Sequence, residues 1–536
     1  MRMNSRIFVL AVAVICIIIA GCKENDGSGY IFKCDIPVNP RTLDPQTATG
    51  QTAALLISNM YDGLLKVESD GNVAAGVAAE YIVSDDKLTY TFFLREDVYW
   101  YYNGEYTPCT AADFIFAFRR LFNPAVKSEN APLFYCIKNS EKVHKGEIPY
   151  LDAVGVESVS DYELVITLEY PNPLFSYLLT TSPAMPCNEE LYEKTSGRYG
   201  LNDKNIPSNG SFYIKEWSYD PYSKNNNIII MRRNTKNSES DRTYPFGLNF
   251  FIGEDDPLSD FLNGNAHSII AEGETAEALL NKDYPYNGFE NSVWGVAFNT
   301  KRAFGNSDLR FAFASAFDRD EININKKGYR AADDIIPPLI NLGNEPYRTA
   351  AGEAGALEYN PAKAREAFDK GAKSVGYDKL TGLYVIVPDN KTIYEYISRI
   401  SQRWQADLGF YCSIKTLAED EFLEALYTGD FDIAMTKLTG EYNSPDAYLS
   451  LFGLRMNCSP YPEYEYKNIL SEARRASDSA RSANLYRQAE NILLEQAVFM
   501  PVCYQTELFF YNKKCEGLVY NPFTGTINYK QAKYFK

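Results

Sequence analysis

Between residues 383 and 436 the spacing of apolar positions alternates between two periods. Leu383-Tyr384-Val385-Ile386-Val387 is a continuous β-branched and aromatic run, the mark of a buried strand. Ile393, Ile397, Ile400, Trp404 and Leu408 then recur every three or four residues, which predicts one face of a helix that Gly409 ends. A strand over 411–417, a helix carrying Phe422, Ala425 and Leu426 that stops at Gly429, and a strand over 431–436 complete a β-α-β-α-β unit. Such a unit implies parallel strands with right-handed crossovers, and the ligands of such sheets lie beyond the carboxyl ends of the strands. A site is therefore expected just after Thr436, in Lys437-Leu438-Thr439-Gly440-Glu441-Tyr442-Asn443-Ser444-Pro445.

The first half of the chain is patterned differently. Residues 88–95 are β-branched and aromatic and predict a strand. Thr110 is placed to cap a helix over 111–122, with Asp113 completing a capping box and Asn123-Pro124 as the stop. The stretch 154–170 predicts a hairpin, with Ser160-Asp161 at its turn. Mostly strands with occasional helices describes this half, so the whole is α/β. No internal repeat or low-complexity block is present, which removes solenoids and propellers.

Residues 7–20 contain no charged or strongly polar side chain and follow Arg2 and Arg6. As a helix this run would rise about 21 Å, short of a ~30 Å hydrocarbon core, so a signal-peptide core fits better than a membrane span. Small residues then lead to a cysteine in Ile19-Ala20-Gly21-Cys22, and a polar, glycine-containing stretch, 23–29, follows.

Composition mainly excludes. The 536 residues, 45% of them apolar, suggest two to four domains with real cores. With 53 Lys+Arg against 70 Asp+Glu the formal charge is −17, and no basic run exceeds the pairs Arg119-Arg120 and Arg232-Arg233, which argues against nucleic acid. Two histidines, His144 and His267, leave little material for a catalytic triad or a zinc site. Ten cysteines are present; setting aside Cys16 and Cys22, the remaining eight allow up to four disulfides or a set of free buried thiols, and no CxxC pair occurs. A surface hydrolase working through two carboxylates is the competing class, but adjacent acids such as Asp255-Asp256 in a Gly/Pro-flanked loop are more often solvated than catalytic.

A series of short motifs, in order over about 450 residues, carries a resemblance. It runs from Leu43-Asp44-Pro45 through Asp62-Gly63-Leu64-Leu65, Ala78-Ala79-Glu80 and Leu94-Arg95-Glu96-Asp97-Val98-Tyr99-Trp100 to Thr110-Ala111-Ala112-Asp113-Phe114. It continues in Asn209-Gly210-Ser211-Phe212, Phe298-Asn299-Thr300 and Leu309-Arg310 leading to Asp318-Arg319. The chain resembles the family 5 extracellular solute-binding proteins of ABC importers, the oligopeptide-binding lipoproteins above all. The 19–22 segment is similar to a lipobox, which implies cleavage after Gly21 and a lipid on Cys22. Where the family has a Pro after Asp70-Gly71 this chain has Ala74-Ala75-Gly76, and Asn103-Gly104 replaces a plain Asp-Gly turn.

The resemblance implies a periplasmic-binding-protein-like fold of type II, three domains forming two lobes around a cleft. Its implied layout is a signal peptide over 1–21 and a tether over 22–30. Lobe I is a discontinuous domain built from 31–56, 181–288 and 501–536; a second domain covers 57–180; and lobe II covers 289–500. It implies a monomer that binds oligopeptides without cofactor, metal or catalysis, is anchored at the cell membrane outside the cytoplasm, and delivers its ligand to permease subunits. The same fold could instead hold a signalling peptide, nickel or a metallophore, heme or an oligosaccharide; with two histidines, direct metal ligation is disfavoured. Thr49-Gly50-Gln51 and Lys437-Leu438-Thr439 are the segments placed against the ligand backbone, Gly50 permitting close approach. Glu441 stands where the family's peptide binders have an Asp for the α-ammonium group, its carboxylate one methylene further out. Trp294, in a strand over 293–298, fits either the cleft wall or the core. Tyr442 and the run Tyr461, Tyr464 and Tyr466 fit either ligand stacking or ordinary loop packing.

Overall fold

The structure, a computed structural model, describes residues 29–535 apart from 69–72, 173, 224–225, 255, 320–323, 325–326, 344, 356, 441, 453–457 and 477. The signal segment 1–21, Cys22, the first part of the tether and Glu441 lie outside the described residues. Among the described residues no helix is long and apolar enough to cross a membrane.

The amino-terminal strand Ile31–Ile36 alternates half-buried and buried positions, so Phe32, Cys34 and Ile36 face inward. It pairs in parallel with Gly247–Ile252, which continues antiparallel to Ile228–Arg233 and Phe212–Ser218. The helix Gln51–Met60 packs beside this sheet, and its far end abuts Asn209-Gly210: a Cβ on Gly210 would come within 2.6 Å of the Met60 carbonyl. A second antiparallel sheet runs Ala78–Val83, Thr89–Leu94, Glu163–Thr167, Val156–Ser160. The expected strand, capped helix and hairpin are all here. The helix is Ala111–Phe122, and Asp113 accepts the Thr110 backbone N–H at 2.8 Å. Both sheets contribute to one continuous apolar core. It encloses a buried ion pair in which Arg120 grips both Asp44 oxygens, at 2.5 and 3.1 Å.

The remaining sheet has seven strands. Tyr384–Pro388 pairs in parallel with Ser413–Leu417 on one side and with Ile433–Thr439 on the other, as the β-α-β-α-β pattern requires. The intervening helices Lys391–Leu408 and Glu419–Thr428 end at Gly409 and Gly429, both left-handed (φ 63° and 78°). The strands expected over 411–417 and 431–436 each begin two residues later, at Ser413 and Ile433, and the end of the second also differs. The last strand continues to Thr439 because Ser292, Val293 and Trp294 of Tyr286–Phe298 pair with Thr439, Leu438 and Lys437. Lys437-Leu438-Thr439 therefore extends the strand, held by a partner some 145 residues away in sequence.

Tyr286–Phe298 and Phe499–Tyr511 are 13-residue strands paired antiparallel along most of their length. Their two ends belong to different cores. Phe509 is buried with the amino-terminal sheets, whereas Val293, Phe499 and Tyr504 are buried in the core beside the seven-stranded sheet. Together they run from one lobe to the other. Across the gap, Arg475 of lobe II stacks over the Tyr170 ring at 4.8 Å. The eight described cysteines are free and buried, which decides for thiols over disulfides.

Candidate interlobe ligand cleft

A cavity of about 470 Å³ lies between the lobes, within the range of small-ligand sites. One wall is the inner face of the Gln51–Met60 helix and its exit, with Ala54, Ser58, Tyr61 and Asp62. Tyr177, Thr180 and Thr181 close a second side. Gly288 to Asn291, Leu339, Ile340 and Asn443 form a third side, and residues between Gly517 and Gln531 of the carboxyl-terminal segment complete the lining.

The polar floor of this cavity is a charge network. Lys530 Nζ, with 14% of its side chain exposed, lies 2.6 Å from Asp62 Oδ1 and 3.2 Å from Glu239 Oε2, and Lys66 Nζ lies 2.7 Å from Glu239 Oε1. Burial alone would raise the Glu239 carboxyl, but the Lys530 and Lys66 ammoniums outweigh it and bring it down to about 2. Asp62 is fixed further by Asn237 Nδ2 at 2.9 Å, and its backbone is clasped by the Asn209 side chain at 2.8 and 3.1 Å. Asp62-Gly63 and Asn209-Gly210 are thus two halves of one lock at the base of the cleft. The sequence carries no signal for Glu239 or Lys530, because each acts through partners remote in the chain.

Apart from Asn443, none of the described residues among the expected site residues lines this cavity; the rest fall outside it. Thr49, Gly50 and Gln51 are exposed at the helix start, Gly50 in a positive-φ conformation (86°). Lys437 is exposed, its Nζ 3.6 Å from Glu272 Oε1 and 5.7 Å from the Trp294 ring centre. Trp294 is 4% exposed, and its Nε1 donates to Gln505 Oε1 at 2.5 Å. Leu438 is buried in the lobe II core, so only its backbone can face a ligand. Thr439 Oγ1 shares a hydrogen bond with Ser292 Oγ at 2.9 Å. Tyr442 packs against the lobe II core and donates to Asp446 Oδ2 at 2.8 Å. Of the tyrosine run, Tyr461 and Tyr464 are exposed, while Tyr466 is buried and donates to the Leu449 carbonyl at 2.7 Å. Burial raises the Glu507 carboxyl above the usual range, and Tyr520 Oη donates to it at 2.6 Å. Among the described residues no hydrogen bond joins 49–51 directly to 437–439.

One backbone feature here is available to a ligand. Pairing of Ile433–Thr439 with Tyr384–Pro388 is confined to Ile433 and Ala434, so beyond Ala434 that edge of the strand carries no recorded partner among the described residues. Unpaired N–H and C=O groups in an extended conformation are what a peptide backbone can join as an added strand. Asp256, from the acidic pair in the sequence, accepts the Ser259 N–H as a helix cap instead.

Two lobes crossed by a pair of long strands around a lined cleft are an architecture suited to binding a solute between them. The chain belongs to the bacterial extracellular solute-binding proteins, family 5, whose model matches residues 72–457. These proteins are carriers, not catalysts. The chain is 26% identical to the dipeptide-binding protein DppE of Bacillus subtilis, over 92% of this chain and 90% of that protein. It is 26% identical to the oligopeptide-binding protein OppA of the same organism, over 96% and 94%. Among solved structures it superposes on Listeria monocytogenes OppA bound to peptide with a TM-score of 0.74 and 25% identity, covering 95% of this chain and 99% of that one. It shares the fold of the pheromone receptor PrgZ with a TM-score of 0.75 at 23% identity, covering 95% and 100%.

Proposed function

We propose that the chain is the lipid-anchored, extracytoplasmic receptor of an ABC importer, capturing oligopeptides between its lobes and handing them to the permease. The observation that carries this reading is the unpaired strand edge at Lys437-Leu438-Thr439, together with an interlobe cavity of about 470 Å³. A site that bonds to backbone accepts peptides of many sequences, since every peptide offers the same N–H and C=O groups. Relatives named for dipeptide and oligopeptide binding support the same ligand class. In this reading Thr49, Gly50 and Gln51 face the strand edge across the ligand, Trp294 and Tyr442 stiffen the wall behind it, and Glu441 answers the α-ammonium group. Lobe I comprises 31–56, 181–288 and 501–536, with 57–180 as its companion domain and 289–500 as lobe II. The lipid on Cys22 holds a monomer at the membrane surface.

Thermal unfolding of the soluble chain with and without a mixture of short peptides tests the reading. Ligand present at about 100 times Kd stabilises the folded state by about 2.7 kcal/mol, a clear upward shift. No shift from any peptide mixture would count against it.

A further inference from the structure

Two lines through the cleft cross a common boundary. Along the Gln51–Met60 helix, Gln51 lies outside the cavity while Ala54 and Ser58 line it. Along Tyr286–Phe298, Gly288 to Asn291 line it while Ser292 and Trp294 do not. The same element stands at both crossings: the tip, 522–525, of the hairpin made by Val519–Asn521 and Thr526–Asn528. A Cβ on Gly525 would come within 2.9 Å of Gln51 Cδ, so tip and helix are in contact. Asn291 Nδ2 donates to the Pro522 carbonyl at 3.1 Å, and Phe523 packs on the lobe II core.

The base of the hairpin is fixed and its tip is lightly held. Below the tip, Asn59 Nδ2 donates to the Ile527 carbonyl at 2.8 Å, and Lys530 is locked by Asp62 and Glu239. At the tip, the polar tie to lobe II among the described residues is the Asn291 bond, beside a half-buried phenylalanine. The tip therefore stands between the 470 Å³ cavity, which Pro522, Phe523 and Thr524 line, and the residues just beyond it, Gln51 and Ser292, the latter paired with Thr439 at the end of the unpaired strand edge.

We propose that the 522–525 tip sets the length of peptide the protein accepts, by closing the strand edge off from the cavity. This rests on the peptide reading above. A ligand extended along 437–439 runs until it meets the tip; further residues enter the cavity only by displacing Phe523 and breaking the Asn291 bond. Displacement draws on binding energy that would otherwise hold the ligand, so affinity falls beyond a limiting length.

Titrating the soluble chain with a series from dipeptide to octapeptide tests this. The wild type should show a limiting length beyond which affinity drops by about tenfold. Phe523→Ala should move that limit to longer peptides, raising the affinity for the first excluded length relative to shorter ones by about tenfold. A limit unmoved by the substitution, or no limit in the wild type, overturns the proposal. Should Phe523→Ala fail to fold, amide exchange on the wild type decides: residues 520–526 should stay protected with short peptides and lose protection with long ones. Equal protection at every length overturns it. Absence of binding at all lengths overturns the peptide reading itself, a result distinct from a limit indifferent to residue 523.

Discussion

Replacing Lys530 by methionine keeps the unbranched side chain up to its last atom and removes the charge that ties the hairpin base to the cleft floor. Its ammonium lies 2.6 Å from Asp62 and 3.2 Å from Glu239 in a site where only 14% of the side chain is exposed. Breaking a buried charge set by deleting one partner costs about 3–5 kcal/mol. Here both carboxylates keep another partner, Asn237 at 2.9 Å and Lys66 at 2.7 Å, so the expected loss is about 3 kcal/mol, the lower end. The pH dependence identifies the cause. Glu239 is held at about 2, below its ordinary 4.5, so its contribution is present above about pH 4.5 and is lost as pH falls toward 2. The difference of about 2.5 units corresponds to about 3 kcal/mol between the two limits. Urea unfolding of wild type and Lys530→Met, followed by tryptophan fluorescence, should show the variant destabilised at pH 7 and the gap narrowing near about pH 3. An equally stable variant, or a gap independent of pH, would refute the assignment of this network.

Other consequences are separable. His267 is buried beside the lobe I sheet, where the Lys33 N–H donates to its Nδ1 at 2.9 Å. Burial, with a lesser push from Lys33, lowers its pKa from 6.5 to about 4, so protonation favours the unfolded chain. Stability should be full above about pH 6.5 and fall by about 3 kcal/mol on acidification to pH 4, a slope that His267→Asn should flatten in denaturant titrations. The eight buried cysteines should resist a thiol reagent in the native protein and all react once it is unfolded; burial pushes Cys34 up to about 11 and Cys136 and Cys187 up to about 12. Glu441→Gln should weaken binding of peptides with a free amine far more than of N-acetylated ones by calorimetry, and equal losses would remove the ammonium assignment. Cys22→Ser should move the protein from the membrane fraction to the soluble one.

Local signals in the sequence located the elements well, because period and caps are local. The helix Ala111–Phe122 begins at its Thr110 box, and the helices ending at Gly409 and Gly429 stop at left-handed glycines, as their patterns say. The end of Ile433–Thr439 was missed because its last residues are held by a partner strand remote in sequence, and no local pattern records pairing. The motifs Leu43-Asp44-Pro45 and Asp62-Gly63 were visible as a family signature. Their physical content, the Arg120 clasp on Asp44 and the Asn209 lock on Asp62, required the fold. For the same reason Lys530, Glu239 and the hairpin tip carried no mark in the sequence. Each is defined by contacts between segments far apart in the chain.

Native mass spectrometry of the soluble chain, purified without denaturation from its own cells, addresses the central claim most directly. The account predicts a protein carrying heterogeneous extra mass that is released on unfolding and sequences as short peptides. Released material containing no peptide, with an otherwise intact protein that rebinds none when added, would contradict it.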